Sequence, residues 1–366
     1  MTQFLRARRR RRRPPASDAA PQPAYAAIDL GTNNCRLLVA EPADGGFRVI
    51  DAFSRIVRLG EGLSCSGRLS DAAMGRALRA LEICADKMRR RGVTDARAVA
   101  TEACRRAENA AVFVGRVHNA TGIEMEIISQ EEEARLALHG CAPLLDCAIP
   151  NALIFDIGGG STEVSWLTTP GAKAQAEGGG VAAPDLVAWY SMPIGVVGLA
   201  ERHGGRDITP AQYAAMVEES REALAPFAAR PEVCDVLSEG RVQMLGTSGT
   251  VTTLAGVYQG LPRYDRKRVD GCYMGFDTVQ AVSRRIAAMS YGERSRHPCI
   301  GDQRADLVIA GCAILEAICR TWPVGRLRVA DRGLREGILA ELMRASPTRP
   351  CNETEKDGQP GPRQSP

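Results

Sequence analysis

Two stretches of this chain write the same turn. "AIDLGTNN" at Ala27–Asn34 and "IFDIGGGSTEV" at Ile154–Val164 each run through an apolar strand, an Asp, one apolar residue, Gly and then a hydroxyl side chain. A single glycine turn can merely close a hairpin. Two in matched positions, each preceded by an acid at the end of a strand, predict a duplicated fold whose turns act together.

The surrounding pattern restarts as well. Apolar alternation marks strands at Tyr25–Leu30, Cys35–Ala40 and Phe47–Leu59. The spacing of Met74, Leu78, Leu81, Ile83 and Met88 predicts a helix over Asp71–Arg91, followed by "ARAVA" as a strand, a helix near Asn109–Thr121 and "MEIIS" as a strand. After a short helix from Glu131, three strands recur at Ala152–Ile157, Thr162–Leu167 and Leu186–Met192, then helices and the strand "VQMLG". The last third adds helices at Asp277–Met289 and Ala305–Thr321, a strand at Arg326–Val329 and a closing helix at Gly333–Arg344. The Gly- and Ala-rich "PGAKAQAEGGGVAAPD" reads as a loop between the second and third strands of the repeat. The expectation is an α/β chain with a first domain at 25–146 and a second at 147–344.

The two ends read differently. Seven Arg precede residue 14, followed by Pro, Ser and Ala instead of the apolar segment of a secretory signal, so residues 1–24 are expected to be a disordered arm. Its alternative role is contact with a polyanion, since clustered Arg gains affinity by counterion release, although no aromatic interleaves Arg8–Arg13 to stack a base. Residues 345–366 are rich in Pro, Gly and charge and are expected to be a disordered tail. No apolar run approaches the roughly 18 residues of a membrane span, and the 12 Cys show neither C-x-x-C pairs nor a His cluster. A soluble cytoplasmic protein with reduced thiols is the expectation.

Two halves packed face to face, each with its turn at the edge of its sheet, would point both turns into one cleft. Gly31 and Gly158, Gly159 and Gly160 are expected to adopt positive φ and to let successive N–H groups cradle phosphate oxygens, with Thr32, Asn33, Ser161 and Thr162 adding polar side chains. An acid at the end of an apolar strand is costly unless paired. Asp29 and Asp156 would share a divalent cation, for which Mg²⁺ is the natural choice, with Mn²⁺ as substitute. "GTSGT" ends a strand and begins a helix, so Gly246, Ser248 and Gly249 form either a further anion site or a tight structural turn.

Taken in order, "AAIDLGTNNCRLLVA", "ATEACRRAEN", "EIISQEEEARLALHG", "IFDIGGGSTEV", "GTSGTVTTLAG", "RADLVIAGCAIL" and "RVADRGLREGIL" resemble the exopolyphosphatase and guanosine pentaphosphatase (Ppx/GppA) phosphatase family over about residues 25 to 344. The resemblance implies a duplicated actin-like, ribonuclease H-like ATPase fold and Mg²⁺-dependent hydrolysis of terminal phosphoanhydride bonds. The substrate would be inorganic polyphosphate or guanosine pentaphosphate, the assembly a homodimer, and the form the short two-domain one.

By that resemblance Glu133 is the carboxylate that polarises the attacking water, Arg105 grips substrate phosphate, and Glu163 joins Asp156 at the metal. Sequence also offers structural roles for the same residues. Ser129 with Glu132 fits a helix capping box, Arg106 competes with Arg105, Glu163 could be a solvent-facing strand residue, and Asp331 could cap the last helix. Asn34 and Gln130 depart from the family's usual Ser and Gly. A kinase or chaperone of the same fold would need an adenosine pocket and a hydroxyl-activating base; a non-catalytic sensor would lack Glu133.

Overall fold

The computed structural model describes residues 22–169, 184–238 and 241–346. Nearly all of the Arg-rich arm and of the tail, and most of the 170–185 insertion, lie outside the described residues. No described helix is long and apolar enough to cross a membrane.

Eleven strands are described: β1 Ala24–Leu30, β2 Asn34–Ala43, β3 Gly46–Ile56, β4 Val93–Ala100, β5 Met125–Ile127, β6 Asn151–Ile157, β7 Thr162–Thr168, β8 Asp185–Met192, β9 Val242–Thr247, β10 Tyr273–Gly275 and β11 Arg326–Ala330. They form two sheets, in the orders β3-β2-β1-β4-β5 and β8-β7-β6-β9-β11-β10. In each, an antiparallel three-strand meander is followed by two strands parallel to its first member. The orders superimpose strand for strand, with β10 as an added antiparallel edge. This is the duplicated actin-like arrangement.

Burial explains the sequence pattern. β1 and β6 are buried on both faces, which is why they read as continuous apolar runs rather than alternating ones. On the first sheet, Ala26, Ile28, Leu37 and Val39 face an outer core with Met74, Leu81 and Phe113 from the helices Asp71–Arg90 and Ala110–Thr121. Ser70 starts the first of these helices by accepting from the Ala73 N–H at 3.2 Å. Tyr25, Ala27, Leu38 and Val99 face the other way, onto Leu136, Leu334, Ile338 and Leu339. Leu138 and Cys141 pack on Ala152, Ile154, Leu167 and Leu245 of the second sheet.

The helices Gln130–Cys141 and Leu334–Ala345 therefore form an inner layer touching both sheets. Chain order would give the last helix to the second unit; it packs on the first sheet. Glycine makes the crossing of the two helices close. A Cβ on Gly337 would stand 2.0 Å from the Leu136 carbonyl oxygen, and one on Gly140 would stand 1.9 Å from that of Gly333. A salt bridge from Arg135 to Glu341 ties the two helices together, and Arg97 on β4 holds the first of them through Glu132.

Candidate active site

The two turns close identically. Gly31 N–H donates to the Asn34 carbonyl and Gly158 N–H to the Ser161 carbonyl, both at 2.9 Å. They sit at the ends of β1 and β6, in the middle of their sheets rather than at the edges, because each first strand is flanked on one side by its hairpin partner and on the other by a parallel strand. None of Gly31, Gly158, Gly159 and Gly160 has a positive φ, so the expected left-handed backbone is not what glycine supplies. It supplies room instead. A Cβ on Gly160 would lie 2.7 Å from Thr32 Oγ1, and one on Gly159 would lie 3.0 Å from Thr32 Cβ. The turns are packed against each other at one end of a shared cleft.

That cleft, a cavity of about 120 Å³, is lined by Asp29, Gly31, Thr32, Asn33, Arg36, Glu102, Glu133, Asp156, Gly158, Gly159, Gly160, Ser161, Glu163, Ser248, Gly249 and Arg304, among others. Thr32 Oγ1 and Asn33 Oδ1 are buried with no partner. An orphaned buried polar group costs about 1–3 kcal/mol. Two such atoms beside one another mark a place where a ligand or ion completes the structure.

The acids are placed by strand register. Asp29 lies across the β1–β2 ladder from Arg36, and Asp156 lies across the β6–β7 ladder from Glu163. Neither Asp29 nor Asp156 makes a hydrogen bond or ion pair with any described residue. Burial pushes Asp156 up to about 6, opposed by the charge of Arg36 and reinforced by that of Asp29. Burial raises Asp29 as well. Glu163 is buried, not solvent-facing; it rises to about 7 through burial, opposed by hydrogen bonds from Ser161 at 2.6 Å and Ser191 at 3.0 Å.

This donor set fits Mg²⁺. Two sunken carboxylates that make no hydrogen bond or ion pair with a described residue, lining the same cleft as the unpaired Thr32 and Asn33 oxygens, supply hard oxygen ligands of the kind Mg²⁺ uses alongside water and substrate phosphate. Among the described residues no three acidic, His or Cys side chains converge as an all-protein cage. Asp29 and Asp156 are the candidate ligands that fit this requirement, since neither carboxylate is engaged by a described side chain, whereas Glu163 already accepts from Ser161 and Ser191.

Glu133 reaches the cleft from the first turn of the helix Gln130–Cys141. Ser129 Oγ accepts from the Glu132 N–H at 3.1 Å, so the N-cap forms as expected. The reciprocal half of the box does not form, because the Glu132 carboxylate is held by Arg97 and Arg135 at 2.9 and 2.8 Å. Burial raises Glu133 well above the usual carboxylate range, the charge of Glu163 adds to this, and Arg105 opposes it.

Arg105 does not line the cleft; it is held by carboxylates at its side. Its Nη1 donates to Glu133 Oε2 at 2.7 Å and to the Ile128 carbonyl at 3.0 Å, and its Nη2 donates to Glu102 Oε2 at 3.1 Å. Two carboxylates in reach draw the guanidinium away from the open space.

Three other expected residues also serve the frame. The Thr162 hydroxyl donates to the Ile194 carbonyl at 2.8 Å. Gly246 lies under Phe155, whose ring a Cβ would meet at 2.5 Å. Asp331 accepts from the Tyr264 hydroxyl at 2.5 Å, while Glu336 takes the capping role at Gly333. Ser248 and Gly249 do line the cleft, but Ser248 Oγ already accepts from the Thr250 and Val251 N–H groups, leaving fewer free donors than expected.

Sequence reasoning missed the two cations that do face the space. The Arg36 side chain makes no hydrogen bond or ion pair with a described residue, and the Arg304 side chain donates only to Thr253 Oγ1, at 3.1 Å. Burial lowers the proton affinity of Arg304, and the nearby charge of Arg36 lowers it further. Arg36 and Arg304 thus share the cleft with Asp29 and Asp156, none of the four in an ion pair with a described residue. Arg36 had a readable signal, as a charged residue in an otherwise apolar central strand. Arg304 heads the "RADLVIAGCAIL" stretch, but no local pattern shows where it points.

The model of the Ppx/GppA phosphatase family matches residues 38–346, beginning just after the first turn. Among solved structures, a Ppx/GppA family member from Aquifex aeolicus is 28% identical with a TM-score of 0.70, the match covering 88% of this chain and 99% of that one. An exopolyphosphatase-like protein is 29% identical with a TM-score of 0.75, covering 88% and 98%. An exopolyphosphatase from Cytophaga hutchinsonii is 23% identical with a TM-score of 0.75, covering 88% and 98%, a likeness of fold.

Proposed function

The chain belongs to the Ppx/GppA phosphatase family, and we propose that it is an exopolyphosphatase that releases orthophosphate from the end of inorganic polyphosphate in a Mg²⁺-dependent reaction. The observation that carries this reading is the pairing of unpartnered Arg36 and Arg304 with unpartnered Asp29 and Asp156 in the cleft that Glu133 enters.

The residues divide the work by their chemistry. Arg36, Arg304 and the backbone of the two turns hold the terminal phosphate and its neighbour, where fixed positive charge is worth most as the bridging oxygen leaves. Asp29 and Asp156 would hold Mg²⁺, which supplies charge neutralisation at the phosphoryl oxygens. Glu133, ionised, accepts a proton from water as the water oxygen bonds to the terminal phosphorus. The bridging P–O bond breaks, and its electron pair leaves with the shortened chain. Arg105 holds Glu133 in place and favours its ionised form.

A second reading is favoured by one observation. An adjoining cavity of about 410 Å³ shares Asp29, Arg36 and Arg304 with the cleft and adds Tyr264, Pro298 and Ile300, a partly apolar wall suited to a nucleoside. Guanosine pentaphosphate would then be hydrolysed by the same groups. Phosphate release from polyphosphate, guanosine pentaphosphate and ATP, each with Mg²⁺, distinguishes these. Exopolyphosphatase activity requires the highest kcat/KM on polyphosphate; preference for the guanosine nucleotide transfers the reading to the second, and activity on none of the three removes both.

A further inference from the structure

Arg58 and Asp306 stand 248 positions apart in the chain, yet Arg58 Nη2 donates to Asp306 Oδ2 at 2.9 Å. Each end is anchored to a wall of the cleft. Val57 and Arg58 both donate their N–H to the Asn33 carbonyl, at 2.8 and 3.1 Å, and Gly60 donates to the Thr32 carbonyl at 2.9 Å, so the segment after β3 braces the first turn from behind. Arg76 locks that segment by donating to the Val57 and Arg58 carbonyls at 2.8 and 3.0 Å. Asp306, at the other end, follows Arg304 by two residues, and Leu307 N–H closes the intervening turn on the Arg304 carbonyl at 3.0 Å.

Two features set this ion pair apart. Arg58 has φ of 47°, one of only two non-glycine residues with positive φ among the described residues. Left-handed backbone at a long side chain is strained and persists where its surroundings impose it. Asp306 Oδ2 meets Arg58 while its Oδ1 is buried without a partner, so Arg58 is the one described cation within ion-pair distance of this carboxylate. The Arg58 side chain is 39% exposed, and an ion pair so exposed adds little to global stability. Its effect falls on the relative position of the parts it joins.

We propose that Arg58 and Asp306 form a clasp across the cleft that holds the first turn and Arg304 at the separation the substrate phosphates require. Both are positioning residues, and the proposal rests on the reading of Arg304 as a phosphate contact. In the ligand-free protein the clasp favours the closed separation. Without it a larger fraction is open, and apparent affinity falls by that fraction while saturating substrate still closes the cleft.

The test uses Arg58→Asn, which tolerates left-handed backbone, together with Asp306→Asn, the double variant and Arg58→Lys. Small-angle scattering of the ligand-free proteins should give a larger radius of gyration for both single variants. KM for polyphosphate should rise about 3- to 10-fold with kcat within about twofold. The double variant should be no worse than the poorer single one, and Arg58→Lys should recover most of the loss. An unchanged radius of gyration in both single variants overturns the clasp whether or not the protein hydrolyses polyphosphate. A larger radius with unchanged KM overturns the claim that this separation governs substrate binding. Should Arg58→Asn unfold, Asp306→Asn read by the same two measurements decides alone.

Discussion

Arg105 Nη1 donates to Glu133 Oε2 at 2.7 Å, which ties the guanidinium to the carboxylate proposed to activate water. The consequence is a signed pH effect. Burial already raises Glu133, and Arg105 opposes that rise. Removing the cation raises the carboxyl further, so a base that must be ionised needs a higher pH. Arg105→Ala should lower kcat by about 10- to 100-fold and shift the acidic limb of the kcat profile upward, with KM little changed. Arg105→Lys should restore part of both. A raised KM with an unshifted limb would instead make Arg105 a phosphate ligand.

Arg36 and Arg304 are expected to behave in the opposite way. A charge-assisted hydrogen bond contributes about 1.5–3 kcal/mol, so Arg304→Gln should cost about 10- to 100-fold in kcat/KM on polyphosphate. The loss should appear in KM as well as in kcat, and its KM part should shrink as ionic strength screens the wild-type contact. Wild-type kinetics in both Arg36→Gln and Arg304→Gln would remove these residues from the site.

Asp156 ties the metal to stability. Its folded value of about 6 lies above its ordinary 3.8, so the folded state holds more protons than the unfolded chain across that interval. Without metal, stability therefore falls as pH rises from about 4 to about 6 through this group. Mg²⁺ favours the ionised form and should raise Tm most above that window. Asp156→Asn should flatten the metal-free decline, lose most of the Mg²⁺-induced rise in Tm, and need more Mg²⁺ for half-maximal activity. The same Mg²⁺ response in both proteins would leave Asp156 a structural acid.

Gly337 tests the inner layer. A methyl group there meets the Leu136 carbonyl oxygen at 2.0 Å, a backbone atom that cannot rotate away. Gly337→Ala should lower stability by about 1–3 kcal/mol, as overpacking does, and should reduce kcat because Leu136 lies one turn from Glu133. Chemical denaturation with turnover measured on the folded fraction checks both. Unaltered stability would mean that the two helices are free to separate.

The parts of this molecule legible in the sequence are those written locally. The matched turns declared themselves by glycine and hydroxyl residues after an acid, and the two three-strand meanders followed from hairpins repeated in sequence, while the parallel strands that put the turns inside the sheets did not. Arg36 was legible too, since a charge in a buried strand demands a partner. Arg304 was not legible, because only the packing of the two sheets carries its turn to the cleft. Nor could sequence say whether Arg105 faces substrate or Glu133; that depends on Glu102 and Glu133 arriving on separate helices to share one guanidinium. Glycine in the turns suggests conformational freedom, whereas the two halves press together there and need its lack of a side chain.

The most direct test of the account is single-turnover phosphate release by Glu133→Gln, with polyphosphate binding measured on the same preparation. If Glu133 accepts the proton from the attacking water, release should slow by about 100-fold or more while affinity for polyphosphate stays within a few-fold of wild type. Release at the wild-type rate with Mg²⁺ present would contradict the assignment of the water-activating carboxylate.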